Sequence, residues 1–536
     1  MLGLAITLLL GFFLRIVGIN WDQGLHLHPD ERMLIMVADR IQFFNQLNPQ
    51  FFNYGSLPIY LVSVVTAIVR LVYSPHLSNY DLMLYVGRGL SLFADLGCIV
   101  FLYLLGRQIT RSPLLGLFAG LIYAISFFPI QNTHFFIVDT FLNFFILASL
   151  YVLIRYVQKP THRNLVYVAL VVAAAITTKF TSVLLIPFVL ISIAIRSWMH
   201  KKRQSIIPSL RATIIFTALV GVFSFLCMPY AFLDWKSYIH DVSQQLQLNN
   251  NPYAFPYTLQ YVGSIPYLYQ LQQIVFWGLG PIISALSIVG LLFILSNRSV
   301  RSSIAVIILL AFYGLYFMVI GHSSVKFMRY MLPLYPLFAL LSGYTLSCIF
   351  SHESRTRWIN VGLMLMLGLA LTWTVAFNTM YIYSHTRIDA TRWILQMIPN
   401  GSTIAVEHWD DRLPLIFSER YHIEELQLYN VPDDTTKWRG ILSQLERTDY
   451  IVIASNRLST PLQRLSDCKK YRACYPLTAA YYRKLFSNRL PFRLVKQFSV
   501  SPTLRPFGIP ISFSDQYSDE SFTVYDHPSI FIFQKL

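Results

Sequence analysis

Hydrophobic and polar positions divide the chain into two unequal parts. Up to about Tyr383 the pattern is long apolar runs with short polar breaks. The runs cover residues 1–19, 83–106, 113–130, 137–157, 164–178, 180–196, 211–232, 273–296, 303–320, 328–350 and 358–382. Most approach or exceed the roughly 20 residues a helix needs to cross a bilayer. In hydrocarbon only helices and closed barrels satisfy their own backbone, so runs of this length predict helices. One further run, "LPIYLVSVVTAIVRLVY" (57–73), would invert every later loop if it spanned. It is read as an interfacial or re-entrant helix, with an additional span as the alternative. Beyond Tyr383 the pattern shortens and mixes. "ATRWILQMIPNGS" predicts a helix stopped by Pro399 and Asn400-Gly401. "STIAVEHW" and "DYIVIASN" predict strands, with the helical "TTKWRGILSQLER" between them. "SFTVYDHPSIFIFQKL" predicts a closing hairpin that turns at Asp526 and Pro528. The expected architecture is a polytopic α-helical membrane domain over 1–383, with about 11–13 spans and juxtamembrane helices, and a soluble α/β domain over 384–536.

Composition supports the membrane reading. Of the 536 residues, 55% are hydrophobic and 13% charged, against roughly 25% charged in a soluble domain. The first run lacks a basic leader and a small-residue cleavage site and is read as a retained span. A net charge of +16 fits basic loops and anionic lipid headgroups better than nucleic acid. The basic residues also set sides. Arg107 and Arg111, then Arg155, Lys159 and Arg163, then "RSWMHKKR" (196–203), Arg298 and Arg301, and Arg355 and Arg357 occupy alternate breaks. By the positive-inside rule these breaks are cytoplasmic. The remaining breaks (20–55, 131–136, the stretch around Lys179, 233–272, 321–327) and the tail are then external, and the membrane is the plasma membrane. Cys98, Cys227 and Cys348 fall in apolar runs and read as small hydrophobes. Cys468 and Cys474 lie in the tail, where an external location would allow a short-loop disulfide.

The polar chemistry clusters on the external side. "HLHPDERM" (26–33) follows the first run and places Asp30 and Glu31 in the first turn of a helix opened by Pro29, where the helix dipole favours negative charge. A solvated helix start explains that pair equally well. "IQNTHFFIVDTFLNFF" adds His134 and Asp139, and a carboxylate inside a membrane helix is a functional candidate. A structural hydrogen bond to a neighbouring helix is the plain alternative for Asp139. "AITTKFTS" adds Lys179, which could instead snorkel. "GHSSVKFMRYMLPLYP" adds Lys326, Arg329 and Tyr330. Arg15 and Arg88 are further cations within apolar runs. Acids and cations at one depth suit an amphiphile with an anionic head: cations hold phosphate oxygens and a carboxylate acts as base. No nucleotide-binding glycine loop, zinc-spaced Cys/His set or nucleophile elbow is present. In the tail, "VEHWDDR" (406–412) gathers Glu407, His408, Asp410 and Asp411, readable as a metal or substrate site or as a solvated corner.

The ordered motifs resemble the polyprenol-phosphate-sugar-dependent glycosyltransferases of the GT-C fold, the protein O-mannosyltransferase and aminoarabinose transferase-like superfamily. They are "HPDE" (28–31), "YGSLPIYL" (54–61), "GRGLSLFADLGCIVFLYLLGRQ" (87–108), "THFFIVDTFLNFFILASLY" (133–151), "TTKFTS" (177–182) and "VKFMRYMLPLYPLFALLSG" (325–343). The resemblance covers the chain to about residue 382. It implies an inverting transfer of one sugar from a polyprenyl phosphate to an acceptor hydroxyl of a protein, lipid or glycan on the external face. It further implies Asp30 and Glu31 as the catalytic acids. It matches Asp139 to a further site acid, and the expected substrate-binding residues are His28, Arg15, Tyr54, Arg88, His134, Asp139, Lys179, Lys326, Arg329 and Tyr330. The family pattern carries an arginine just before the acid that Asp139 matches, and this chain has Ile137-Val138 there instead. No cofactor is implied with certainty, and Asp30, Glu31 and Asp139 leave a divalent metal open. A transporter or flippase is the alternative reading, but no internal repeat supports it. A third reading is an assembly or receptor protein whose tail is the working part.

Overall fold

A computed structural model describes residues 2–73, 76–199, 207–351 and 357–536. Residues 200–203 of the strongest basic break, and Arg355, lie outside the described residues. Each apolar run coincides with helix. The first part runs α1 (Leu2–Ile16), α2 (Pro29–Asp39), α3 (Leu57–Val72), α4 (Asn79–Thr110), α5 (Pro113–Ala124), α6 (Phe127–Thr133), α7 (Val138–Gln158) and α8 (His162–Ile176). Among the described residues, six helices are long and apolar enough to cross a membrane, or seven if the bent pair α5–α6 counts as one span. Five more apolar helices are shorter, α1, α3 and α8 among them.

Local chemistry sets the ends. Ser78, Ser112 and Thr161 cap α4, α5 and α8 through their hydroxyls, which satisfies amides left open at a helix start. Arg111 closes α4 in a left-handed conformation, φ 58°, and Pro113 opens α5. Helix α4 can lie against α5 because both contribute glycine at the crossing. A Cβ on Gly106 would stand 2.3 Å from the Gly116 nitrogen, so small residues permit the close approach.

The uncertain run 57–73 is α3. Its start hydrogen-bonds the break after α8, Leu57 N donating to Thr177 O at 3.0 Å. Its end returns to the start of α4, Arg70 donating to Asn79 Oδ1 at 2.8 Å. Asp81 on that same first turn meets His26 at 3.2 Å. Both ends of α3 therefore lie at the carboxylate end of the bundle, as a re-entrant or interfacial helix requires. Two of the basic breaks meet at the opposite end: Gln108 joins Gln158 at 2.8 Å beside Arg107, Arg111, Arg155 and Lys159.

The last long apolar helix, Arg357–Asn378, gives way to the tail through Thr379–Tyr381, and the next helix starts at Thr386. The tail is a sheet with helices on it. Strands β1 (Thr403–Glu407), β2 (His422–Leu426), β3 (Tyr450–Ile453), β4 (Phe492–Phe498) and β7 (Ile530–Lys535) form the order β2-β1-β3-β7-β4. The β1–β2 and β1–β3 pairs are parallel, and β7 runs antiparallel to β3 and β4. Between them, β5 (Thr503–Leu504) and β6 (Ile511–Ser512) make a separate small hairpin. The predicted helices appear at Thr386–Met397 and Thr435–Arg447, the latter capped by Asp434. Cys468 and Cys474 form a disulfide.

The predicted closing hairpin is corrected. Only its second arm is a strand, β7; the first arm holds a helical turn at Glu520–Thr523. Both edges of β7 are already taken by β3 and β4. The first arm instead buries Phe522, Val524 and Tyr525 in the core of the membrane helices. That segment fastens the tail to the bundle.

Candidate active site

Helix α2 positions the two adjacent carboxylates differently. His28 caps it, accepting from Glu31 N through Nδ1 at 3.4 Å, and Pro29 occupies the first turn. Burial, with Arg329 and Arg88 close by, lowers the His28 pKa well below its usual value. Consecutive helical residues point about 100° apart. Glu31 therefore turns into the protein while Asp30 turns out.

Glu31 is fully buried and clamped by Arg88. Arg88 Nε and Nη2 donate to its two oxygens at 2.9 and 2.7 Å, and Phe136 N donates at 2.8 Å. The same guanidinium grips Asp22 at 2.9 and 2.8 Å. One cation thus serves two buried acids. Burial opposes charge on both, yet Arg88 holds the Asp22 pKa below its usual value while that of Glu31 rises. The clamp ties the loop after α1, the start of α2 and α4 into one unit. Asp22 was not singled out from sequence.

Asp30 faces a cavity of about 450 Å³ between the membrane helices and the tail. Arg329 lies across from it, Nη1 2.5 Å from Asp30 Oδ2. That contact lacks hydrogen-bond alignment: Arg329 Nε and Nη1 are both buried without a hydrogen-bond partner. Nε stands 3.9 Å from Asp139 Oδ2. Behind Arg329, Lys179 Nζ donates to Asp139 Oδ1 at 2.6 Å and lies 4.5 Å from the Tyr330 ring centroid. Tyr54 and Tyr330 line the cavity with Asp30 and Arg329. Gly55 makes this convergence possible. A Cβ there would stand 1.9 Å from Thr177 O, so glycine lets the Tyr54 segment lie against the break that carries Lys179.

The rest of the lining was not legible locally. Gln244, Gln245 and Asn249 come from the helix Trp235–Asn249, and Tyr257 from the short 3-10 helix Pro256–Tyr261 after it. Asn249 accepts from the Tyr330 hydroxyl at 3.1 Å. The tail closes the cavity with Arg457 and Tyr525. Arg457 is held by Glu520 at 2.8 Å, and the Tyr525 ring lies tilted against His28, centroids 4.1 Å apart.

Other residues expected at the site lie outside the cavity lining. Arg15 is buried against Asp95, 2.6 Å away, and Tyr123 donates to the same carboxylate at 2.5 Å. Asp95 was missed although, like Asp139, it is a carboxylate within an apolar run. His134 bonds Ile130 O and Val17 O at 2.9 Å each and stacks on Tyr381. Lys326 donates to Ser324 O at 3.0 Å. Arg88 acts through its clamp. The corner "VEHWDDR" is neither solvated throughout nor convergent: Asp410 and Asp411 pair with Arg387 at 3.1 and 3.0 Å. Glu407 is buried against Tyr482, and His408 bonds Glu425 at 2.9 Å. Among the described residues no three His, Cys, Asp or Glu side chains converge to hold a metal ion. Asp30 faces Arg329, Glu31 faces Arg88, and Asp139 lies between Lys179 and Arg329.

Comparison with known proteins agrees with this architecture. A sequence profile described as dolichyl-phosphate-mannose-protein mannosyltransferase matches residues 86–225. No curated protein sequence matches. The Archaeoglobus fulgidus oligosaccharyltransferase AglB, solved with an inhibitory peptide and a dolichol-phosphate, superposes with a TM-score of 0.51 at 11% identity, covering 99% of this chain and 88% of its own. The A. fulgidus oligosaccharyltransferase solved with zinc and sulfate gives 0.51 at 12%, covering 97% and 73%. ArnT from Cupriavidus metallidurans bound to undecaprenyl phosphate gives 0.49 at 15%, covering 84% and 92%. The chain is a polytopic helical membrane protein with the GT-C fold of the two oligosaccharyltransferase structures.

Proposed function

We propose that the protein is a membrane glycosyltransferase that moves a single sugar from a polyprenyl-phosphate carrier to an acceptor hydroxyl. The observation that carries this reading is Arg329. It is a buried guanidinium whose Nε has no hydrogen-bond partner and whose Nη1 meets Asp30 without hydrogen-bond alignment, and it faces the same cavity as that carboxylate. A donor phosphate supplies the missing acceptors, in a fork geometry that suits a guanidinium. Without substrate, Asp30 and Arg329 neutralise each other. A phosphate that draws Arg329 away leaves Asp30 free to act as base.

The transfer balances in one displacement. Asp30 takes the acceptor hydroxyl proton. The acceptor oxygen bonds the sugar's anomeric carbon from the side opposite the phosphate, and the bond from that carbon to the phosphate oxygen breaks. The polyprenyl phosphate leaves with the electron pair, stabilised by Arg329. The configuration at the anomeric carbon inverts. Lys179, held by Asp139 behind Tyr330, adds positive potential at the leaving-group side. Glu31 does not meet substrate here; clamped by Arg88, it sets the start of α2 and hence the position of Asp30. The two basic breaks that meet at the far end of the bundle support a cytoplasmic placement for that end. The cavity and the tail are then on the external face of the plasma membrane.

The test is transfer in proteoliposomes from a polyprenyl phosphate bearing one labelled sugar, with released polyprenyl phosphate as the readout. Arg329→Gln should lower turnover about 10²–10³-fold, the usual loss for one charge-stabilising donor. Unchanged turnover, or no release by the wild type with any such donor, would overturn the proposal.

A further inference from the structure

The hairpin β5–β6 has a composition that its tail neighbours do not explain. Its tip reads Pro506-Phe507-Gly508-Ile509-Pro510-Ile511 and carries no charge. Phe507 is fully exposed at 104%, Ile509 is 66% exposed and Ile511 46%. Large apolar side chains massed on one free tip mark an interaction surface.

Its position identifies the partner. The hairpin stands against the last long apolar helix, Arg357–Asn378. Thr503 N donates to Thr379 Oγ1 at 3.3 Å, and the Phe513 ring meets Trp373 edge-on at 5.4 Å. From Thr379 back to Trp373 is about 9 Å of helix rise, so the base of the hairpin already reaches below the end of that helix. The helix exposes Leu365, Leu369 and Val375, and Ile382 and Tyr383 follow at its exit. The base of the hairpin therefore stands beside the outer end of an apolar helix with exposed large side chains.

Backbone bonding points the same way. Hydrocarbon tolerates only peptide groups that are satisfied internally. Pro506 and Pro510 have no N–H to satisfy. Gly508 N donates to Arg505 O at 3.2 Å and Ile509 N to Pro506 O at 3.0 Å. Phe513 N donates to Pro502 O at 2.8 Å, and the two hydroxyls of the ladder, Thr503 and Ser512, bond each other at 2.9 Å. Arg505, exposed at the edge of the tip, is placed to meet lipid phosphates.

We propose that the β5–β6 hairpin inserts Phe507 and Ile509 into the headgroup–acyl boundary beside the last span, giving the tail its own lipid anchor. The full-length protein with Cys98, Cys227 and Cys348 replaced by alanine, and the Cys468–Cys474 disulfide kept, is spin-labelled at Phe507→Cys and reconstituted in bilayers. Leu442→Cys, on the exposed face of the tail helix Thr435–Arg447, is the aqueous reference. The label at 507 should show a several-fold higher ratio of oxygen to nickel-chelate accessibility than the label at 442. An equal ratio overturns the proposal. So does shielding from both reagents, which would mean a protein partner. Wild-type protein in bilayers containing a lipid with a photoreactive acyl chain gives a second reading that needs no substitution. Adducts on the 505–511 peptide are expected, and adducts on Arg357–Asn378 without any on that peptide contradict it.

Discussion

Removing Arg88 should release two buried carboxylates at once. Arg88 makes four charge-assisted hydrogen bonds to Asp22 and Glu31, and a fifth to Ile19 O at 2.8 Å. All three charged side chains are 0% exposed, so solvent cannot replace the lost partner. Breaking a buried ion pair by deleting one member costs about 3–5 kcal/mol. Arg88→Met keeps much of the side-chain volume, so the loss is electrostatic rather than a cavity. The companion change Glu31→Gln removes one orphaned charge while keeping an acceptor for Phe136 N. In the Arg88→Met background it should recover about 1–3 kcal/mol, the desolvation penalty of an unsatisfied buried group. In the wild-type background it should destabilise. This sign reversal is a double-mutant cycle with a large coupling term. The assay is denaturant unfolding of the four purified proteins in detergent, followed by tail and membrane-domain probes separately. A loss under about 1 kcal/mol for Arg88→Met, or additivity across the cycle, would refute the clamp.

Three further outcomes follow from named contacts. Gly55→Ala should push the Tyr54 segment off Thr177 and lower transfer more than it lowers stability; unchanged kcat/KM in the transfer assay would show that the close approach is dispensable. Burial pushes the Glu407 pKa up to about 8, so its contribution to tail stability is fully present below its unfolded value of about 4.5 and is lost as pH rises through about 8. Unfolding of the tail measured between pH 5 and 9 should show this decline in the wild type and a shallower one in Glu407→Gln, where His527 still titrates. His527 lies buried between Asp526 and Asp515. Burial alone would lower its pKa, but the two carboxylates raise it to about 10. Its stabilisation is present below its unfolded value and is lost as pH rises through about 10. Since Asp526 also accepts from Tyr381 and Gln131, subtilisin cleavage around 515–527 should accelerate near pH 10 in the wild type and at all pH values in His527→Ala.

The apolar periodicity made the membrane helices and most tail elements legible, because run length and turn residues report on local structure alone. The site was legible in part. Asp30, Asp139, Lys179 and Arg329 stood out as charges where the surrounding pattern is apolar, and the structure brings them to one end of the bundle. Pairing was not legible. Arg88 stands 57 positions from Glu31 and 66 from Asp22, and nothing local distinguishes a clamp from a ligand. The same limit applies to Arg15, whose partner Asp95 lies on another helix, and to His134, which bonds backbone carbonyls. Tyr257, Arg457 and Tyr525 reach the cavity from segments with no unusual local pattern; only the docking of the tail reveals them. The closing hairpin misled because alternating apolar residues before Asp526 can equally well dock on helices as pair in a sheet.

The central claim is that the adjacent carboxylates of α2 divide their work, Asp30 at the reacting hydroxyl and Glu31 in the scaffold. Asp30→Asn compared with wild type, assayed for sugar transfer from a polyprenyl-phosphate donor in proteoliposomes with donor binding measured in parallel, tests it most directly. The account predicts donor binding retained and turnover lowered about 10²–10⁴-fold, the range of a lost general base. Wild-type turnover in Asp30→Asn would contradict it.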